Sequence, residues 1–255
     1  MMKSKIKIIE TNKNDGIMSK NIKFYEGKTK EEASEIFLNT RLKIGNKYHL
    51  NGRKIVVPYQ KTALNDINYP DGTYEIVNTK EIKLEDYWEY HYDCDILITK
   101  ENEKKIIVGH MMADCPVLIA EDRRLGQTAM AHCGASEIDR ELPKDIIRAL
   151  QKENSKLEDI YVYVGSCCKK ETYIYDTYPK WATNELWKKY IKKVENGYSI
   201  DLNGIIKKQL KELGITHIRE SKIDTIIDEN YYSHYAYVHG QKEKYGQNFV
   251  GFYYK

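Results

Sequence analysis

The chain has no long apolar run, no excess of charge of one sign and no paired pattern of cysteines, and each shortage removes a class of protein. Its start, Met1-Met2-Lys3-Ser4-Lys5-Ile6-Lys7-Ile8-Ile9-Glu10, is basic but lacks the apolar stretch of a signal peptide. No run elsewhere approaches the ~20 residues that cross a bilayer. A cytoplasmic protein without a membrane partner is expected. Lys and Arg number 41 against 38 Asp and Glu, a formal charge of +3. The basic residues are scattered rather than grouped with aromatics, so nothing reads as a nucleic-acid footprint. The five cysteines, Cys94, Cys115, Cys133, Cys167 and Cys168, are odd in number and share no repeated spacing, so reduced thiols are expected rather than a disulfide framework. No repeat, low-complexity tract or Gly/Ser/Pro-rich linker divides the 255 residues, which favours one domain over 1–255.

What is present suits a globular core: 41% of residues are hydrophobic. The 22 tyrosines accompany many Ile, Lys and Asn and read as filler for half-buried sheet surfaces. Residues 5–9 alternate as a strand. Thr29-Lys30-Glu31-Glu32 is a capping box that opens a helix toward Gly45, with Ile36, Phe37 and Leu42 on its inner side. Ile55 to Val57 is a strand stopped by Pro58, and residues 61–93 form a polar, Tyr- and Asp-rich excursion over the surface. Short apolar strands follow at Asp95–Thr99, Lys105–Val108, Val117–Ala120 and Thr128–Ala131. Pro143 opens a helix running to Leu150, and Ile160 to Val164 is a strand. Trp181, Leu186, Trp187, Tyr190, Ile191 and Val194 recur at helical spacing, as do Ile205, Ile206 and Leu210 before Gly214, with both tryptophans read as packing. Ile215–Ile218 and Asn248–Phe252 complete the strands of a mixed α/β protein.

Chemistry concentrates in two segments. Cys115 lies in Asp114-Cys115-Pro116, at the mouth of one apolar strand, and His132 comes seventeen residues later in Ala131-His132-Cys133-Gly134, at the end of another. A short turn between the strands would bring thiol and imidazole to one rim, where they make either part of a metal site or a nucleophile with its base. A buried cysteine is usually an inert small hydrophobe. Here a charged residue and a proline beside it, and a glycine beyond the histidine, have no use in plain core packing.

These segments carry a resemblance. Ala113-Asp114-Cys115-Pro116-Val117-Leu118-Ile119-Ala120 followed by Ala131-His132-Cys133-Gly134 resembles the laccase-domain family, whose pattern reads T-A-D-C-x-P-V-L-x-A-D and then A-A-H-A-G-W-R-G. Asp95 to Thr99 is similar to the family's D-A-L-V-T strand, Gly165 to Tyr173 to its G-P-x-I…Y-E-V segment, and Tyr231-Tyr232-Ser233 to its F-F-S motif. The resemblance implies a layered α/β sandwich with mixed sheets and outer helices. It also implies zinc-dependent phosphorolysis or deamination of purine nucleosides such as adenosine and inosine, in proteins historically called polyphenol oxidases. Zinc, rather than copper, is the metal implied, held by two histidines and a cysteine with one position open; Cys115 and His132 match two of those ligands and are the candidate catalytic residues.

The chain departs from the pattern twice. The family's first histidine falls in Q-V-H-G, whereas Val57-Pro58-Tyr59-Gln60-Lys61-Thr62 puts Gln60 or Thr62 there, neither a good zinc donor. The anion-holding arginine of A-G-W-R-G is replaced in Gly134-Ala135-Ser136. His91 and Cys94 are candidate substitutes, and His110 reads as a surface histidine or a support for a ligand. Strand alternation points Cys133 away from His132, and Cys167 and Cys168 read as packing. Two other readings stay open: a metal-free cysteine hydrolase or deamidase with Cys115 as nucleophile and His132 as base, since the family fold is similar to that of deamidating toxins of the cytotoxic necrotizing factor type, and a degenerate non-catalytic member.

Overall fold

A computed structural model of the chain describes residues 2–19, 21–50, 55–58, 74–78, 94–103, 106–182 and 184–255, and the backbone of 89–92. Among these the strands are β1 (Ile6–Glu10), β2 (Ile55–Pro58), β3 (Tyr74–Ile76), β4 (Glu89–Tyr92), β5 (Ile96–Lys100), β6 (Ile107–Met112), β7 (Val117–Asp122), β8 (Gln127–His132), β9 (Ile160–Val164), β10 (Ile174–Tyr175), β11 (Ile191–Val194), β12 (Gly197–Ile200), β13 (His217–Glu220) and β14 (Asn248–Tyr254). The helices are α1 (Lys30–Lys47), α2 (Ala135–Asp139), α3 (Leu142–Lys152), α4 (Leu202–Glu212) and α5 (His234–Val238).

Two mixed sheets face each other. One runs β1-β14-β6-β2-β4 and the other β13-β9-β7-β8-β5-β3, with a small β10-β12-β11 sheet beside them. Val56, Val108, Val250 and Phe252 of the first sheet interleave with Leu97, Val117, Ile119 and Met130 of the second. Each such side chain contributes about 1.5–3 kcal/mol by leaving water, which makes this middle layer a main source of stability. On the outer face of the five-stranded sheet, Ile44 of α1 packs with Ile55, Ile107 and Phe249. On that of the six-stranded sheet, α3 and α4 lay Ile146, Leu150, Ile206 and Leu210 over Ile98, Leu118 and Val162. The expected sandwich with mixed sheets and outer helices is the one observed.

Two local expectations are corrected. The capping box at Thr29 forms as read, with Glu32 N–H donating to the Thr29 hydroxyl and Glu32 accepting from Thr29 N–H. The helix, however, buries Ala33, Phe37, Thr40, Arg41 and Ile44, while Ile36 and Leu42 are each 38% exposed. The inner stripe follows i, i+4, i+7, i+8, and it admits Arg41 because its guanidinium lies 4.6 Å from the centre of the Phe37 ring and donates to Met18 O at 3.0 Å. The second correction concerns residues 181–194. Their apolar spacing implied a helix, but Glu185–Lys189 is a 3-10 turn and Ile191–Val194 is a strand. The turn at Glu195-Asn196, followed by Gly197 at φ +136°, closes a hairpin that pairs Val194 with Gly197, and a continuous helix cannot pass through it. The tryptophans pack as expected: Trp187 is fully buried, its indole N–H donates to Asp139 Oδ1 at 2.6 Å, and Trp181 meets it edge to face.

Candidate metal and catalytic site

β7 and β8 form an antiparallel hairpin in register from Val117↔His132 to Asp122↔Gln127. Asp122 Oδ1 accepts from Arg124 N–H and Leu125 N–H at 2.8 Å, which fixes the turn at one end, and Cys133 N–H donates to Pro116 O at 2.8 Å at the other. Cys115 sits just before β7 and His132 closes β8, so the hairpin delivers both to its open end.

The Cys115 turn is held by Asp114, which adopts φ +87°. A non-glycine residue there is strained by about 1–3 kcal/mol, and the surrounding bonds must overcome that. Thr225 Oγ1 donates to Asp114 Oδ1 at 2.7 Å, Tyr235 N–H to Oδ2 at 2.7 Å, and Cys168 N–H to Asp114 O at 3.0 Å. The turn is thereby tied to α5 and to the segment after β9.

Gly134 measures how near the two key residues come. A Cβ placed on it would lie 3.4 Å from Cys115 Sγ and 3.4 Å from His132 Cε1, so sulfur and ring are within twice that distance of each other. The same point is 2.8 Å from Glu137 Oε2, which brings a carboxylate into the space. Glu137 is 6% exposed; its Oε1 accepts from Ser136 Oγ at 2.8 Å and lies 3.9 Å from the Arg140 guanidinium. His110 of β6 stacks on His132, ring centres 4.9 Å apart, and its Nδ1 is 2.6 Å from Met111 O. Tyr235, whose backbone binds Asp114, meets Tyr173 edge to face at 5.4 Å, giving an aromatic wall beside the turn.

Burial governs the electrostatics. It pushes the Cys115 thiol up to about 12, with the charges of Asp114 and Glu137 adding to the effect. Burial alone brings the His132 imidazole down to about 4. Near neutral pH the pair is therefore a thiol beside a neutral imidazole, not a thiolate–imidazolium couple.

The structure thus brings Cys115 and His132 together with His110. Cys94 is fully buried among the middle-layer residues, and Cys133 is buried in the layer under α2 and α3, as alternation implied. Cys167 and Cys168 are buried on opposite sides of their segment, in the middle and helical layers respectively. Gln60 and Thr62, and the side chain of His91, lie outside the described residues, as does most of the 61–93 excursion. Sequence reasoning missed Glu137; the signal was a carboxylate five residues beyond His132 in the first turn of α2. It also read Tyr173 and Tyr235 as filler.

A thiol and a neutral imidazole are donors of the kind zinc takes, and their convergence fits such a metal as far as two ligands go. Among the described residues, no group of three or more His, Cys, Asp and Glu is arranged to hold an ion.

Fold and site together define a mixed α/β sandwich carrying a cysteine–histidine rim at the end of a central hairpin. The model of the multi-copper polyphenol oxidoreductase laccase family matches residues 28–251, and the chain belongs to that family. A Campylobacter jejuni protein named purine nucleoside phosphorylase Cj1217c is 29% identical over 145 residues, 55% of this chain and 60% of that one, so the chain aligns with less than two thirds of that relative's length. Among solved structures, a hypothetical protein YfiH of Bacillus licheniformis superposes with a TM-score of 0.72 at 16% identity, covering 98% of this chain and 93% of that one. YlmD of Geobacillus stearothermophilus gives 0.70 at 17% identity, covering 98% and 90%. These likenesses bear on the fold. No helix among the described residues is long and apolar enough to cross a membrane.

Proposed function

We propose that this protein is an enzyme of purine nucleoside metabolism, acting on adenosine or inosine by phosphorolysis or deamination, with Cys115 and His132 as its catalytic, metal-holding pair. The observation that carries this is the convergence of Cys115 Sγ and His132 Cε1 around Gly134, on a rigid hairpin end bordered by Tyr173 and Tyr235. The name of the Campylobacter jejuni relative supports the substrate class. Zinc would be held by Cys115 and His132 and would supply a Lewis acid there. Asp114 anchors the turn that carries the thiol, and the absent side chain of Gly134 leaves room between the two donors. A metal-free cysteine hydrolase is disfavoured, because a thiol pushed up to about 12 beside an imidazole brought down to about 4 makes a poor nucleophile and base.

The test is turnover of adenosine and inosine by protein purified with and without added zinc, followed by chromatography of the products. Formation of inosine, hypoxanthine or adenine that disappears in Cys115→Ser and His132→Ala supports the reading. No turnover of any purine nucleoside by the zinc-supplied protein overturns it.

A further inference from the structure

Among the described residues, Glu137 Oε2 is the atom nearest the point that a Cβ on Gly134 would occupy, beside Cys115 Sγ and His132 Cε1. Glu137 Oε1 is engaged by the Ser136 hydroxyl and faces Arg140, whereas Oε2 is turned toward Gly134 and accepts no hydrogen bond among the described residues. At 6% exposure it is largely withdrawn from water, so its charge is weakly screened. Asp114, 5% exposed, adds a second carboxylate on the other side of the thiol. Asp114 and Glu137 are the carboxylates whose charges act on Cys115. Arg140 stands 3.9 Å from the outer oxygen of Glu137, and the Lys242 ammonium acts on Asp114.

We propose that Glu137 is a specificity-determining residue that bars inorganic phosphate from the site and reserves it for water as the attacking group. This rests on the purine nucleoside reading above and selects deamination within it. In that reaction the water oxygen bonds to C6 of adenosine, the C6–N bond breaks, and the displaced amino group leaves as ammonia with one proton of water, while the other proton ends on N1 of inosine. Phosphorolysis instead needs a doubly charged phosphate to approach C1′ past Glu137. A unit charge ~6 Å from a carboxylate in a partly buried site is disfavoured by roughly a hundredfold in affinity.

The experiment has two arms. In the first, inorganic phosphate is titrated into wild-type protein and Glu137→Gln, followed by calorimetry and phosphorus NMR, with circular dichroism confirming that the isosteric variant is folded. The wild type is expected to show no saturable binding at millimolar phosphate, and Glu137→Gln to bind about a hundredfold more tightly than the wild-type limit. Saturable binding by the wild type, or no gain in Glu137→Gln, overturns the proposal. In the second arm, wild-type protein converts adenosine with and without phosphate. Inosine and ammonia formed at a rate indifferent to phosphate are expected, and ribose 1-phosphate overturns the assignment. Absence of any nucleoside turnover sinks the functional reading, and the titration still decides the role of Glu137.

Discussion

Thr225 Oγ1 donates a 2.7 Å hydrogen bond to Asp114 Oδ1 across 111 residues of sequence, and both residues are buried. This bond and the one from Tyr235 N–H hold the Cys115 turn in its left-handed conformation. Thr225→Val keeps the side-chain shape but removes the donor, leaving a buried carboxylate oxygen short of a partner. The expected loss is about 1–3 kcal/mol in urea unfolding at neutral pH. An unfolding midpoint equal to wild type would mean that the bond does not hold the turn.

How much of this was legible depended on whether a signal was local. The β7–β8 hairpin and the positions of Cys115 and His132 follow from two apolar runs and a charged turn, and they stand as read. Hydrophobicity alone ranks Ile36 and Leu42 above Arg41, and the facing Phe37 and Phe249 rings with the Met18 carbonyl show why a guanidinium is buried there. The helical spacing of residues 181–194 extends over the strand Ile191–Val194 because the apolar periodicity outweighs the break at Glu195-Asn196-Gly197 that follows it. The partners of Asp114 are out of reach for a different reason: they arise from contacts that fold-back creates, and no spacing in the chain encodes them.

The donor pair predicts a metal dependence that each ligand controls. Protein purified from zinc-supplied medium is expected to carry about one zinc per chain. Cys115→Ser and His132→Ala should each cut that content about tenfold or more, because each removes one of the two donors that the rim supplies. Elemental analysis of the desalted proteins measures it, and equal metal in wild type and both variants would remove these residues from the site.

In the metal-free protein the same two residues set the pH response. The His132 imidazole falls from an ordinary 6.5 to about 4 on folding, so the fold favours its neutral form. Its stabilising effect is complete above pH 6.5 and is lost as pH falls through about 4, by roughly 3 kcal/mol at full effect. The Cys115 thiol rises from 9.0 to about 12, so its effect is complete below pH 9 and is lost as pH rises toward 12. Urea unfolding of chelator-treated protein at pH 7 and pH 4.5 should show His132→Gln losing less stability on acidification than wild type. Identical losses would move the acid sensitivity to other groups.

The raised thiol also predicts slow chemistry. A rise from 9.0 to about 12 leaves about a thousandfold less thiolate at neutral pH than in an ordinary cysteine. Iodoacetamide should therefore modify Cys115 of the metal-free native protein at pH 7 far more slowly than it modifies the unfolded chain, as followed by peptide mass spectrometry. Rapid labelling confined to Cys115, and slowed in His132→Ala, would instead point to a thiolate activated by its histidine.

Gly134 gives the most local test of the site's geometry. Its backbone, at φ −71°, is one any residue adopts, so Gly134→Ala adds no backbone strain. The new methyl would meet Glu137 Oε2 at 2.8 Å and stand 3.4 Å from both Cys115 Sγ and His132 Cε1, filling the space between the two ligands. The carboxylate end is flexible and gives way, which limits the stability cost to about 1–3 kcal/mol. Zinc content and nucleoside turnover should fall much further than the unfolding midpoint does, because the methyl crowds the space that Cys115 and His132 share. A variant with full zinc content and full turnover would show that the chemistry is placed elsewhere on the rim.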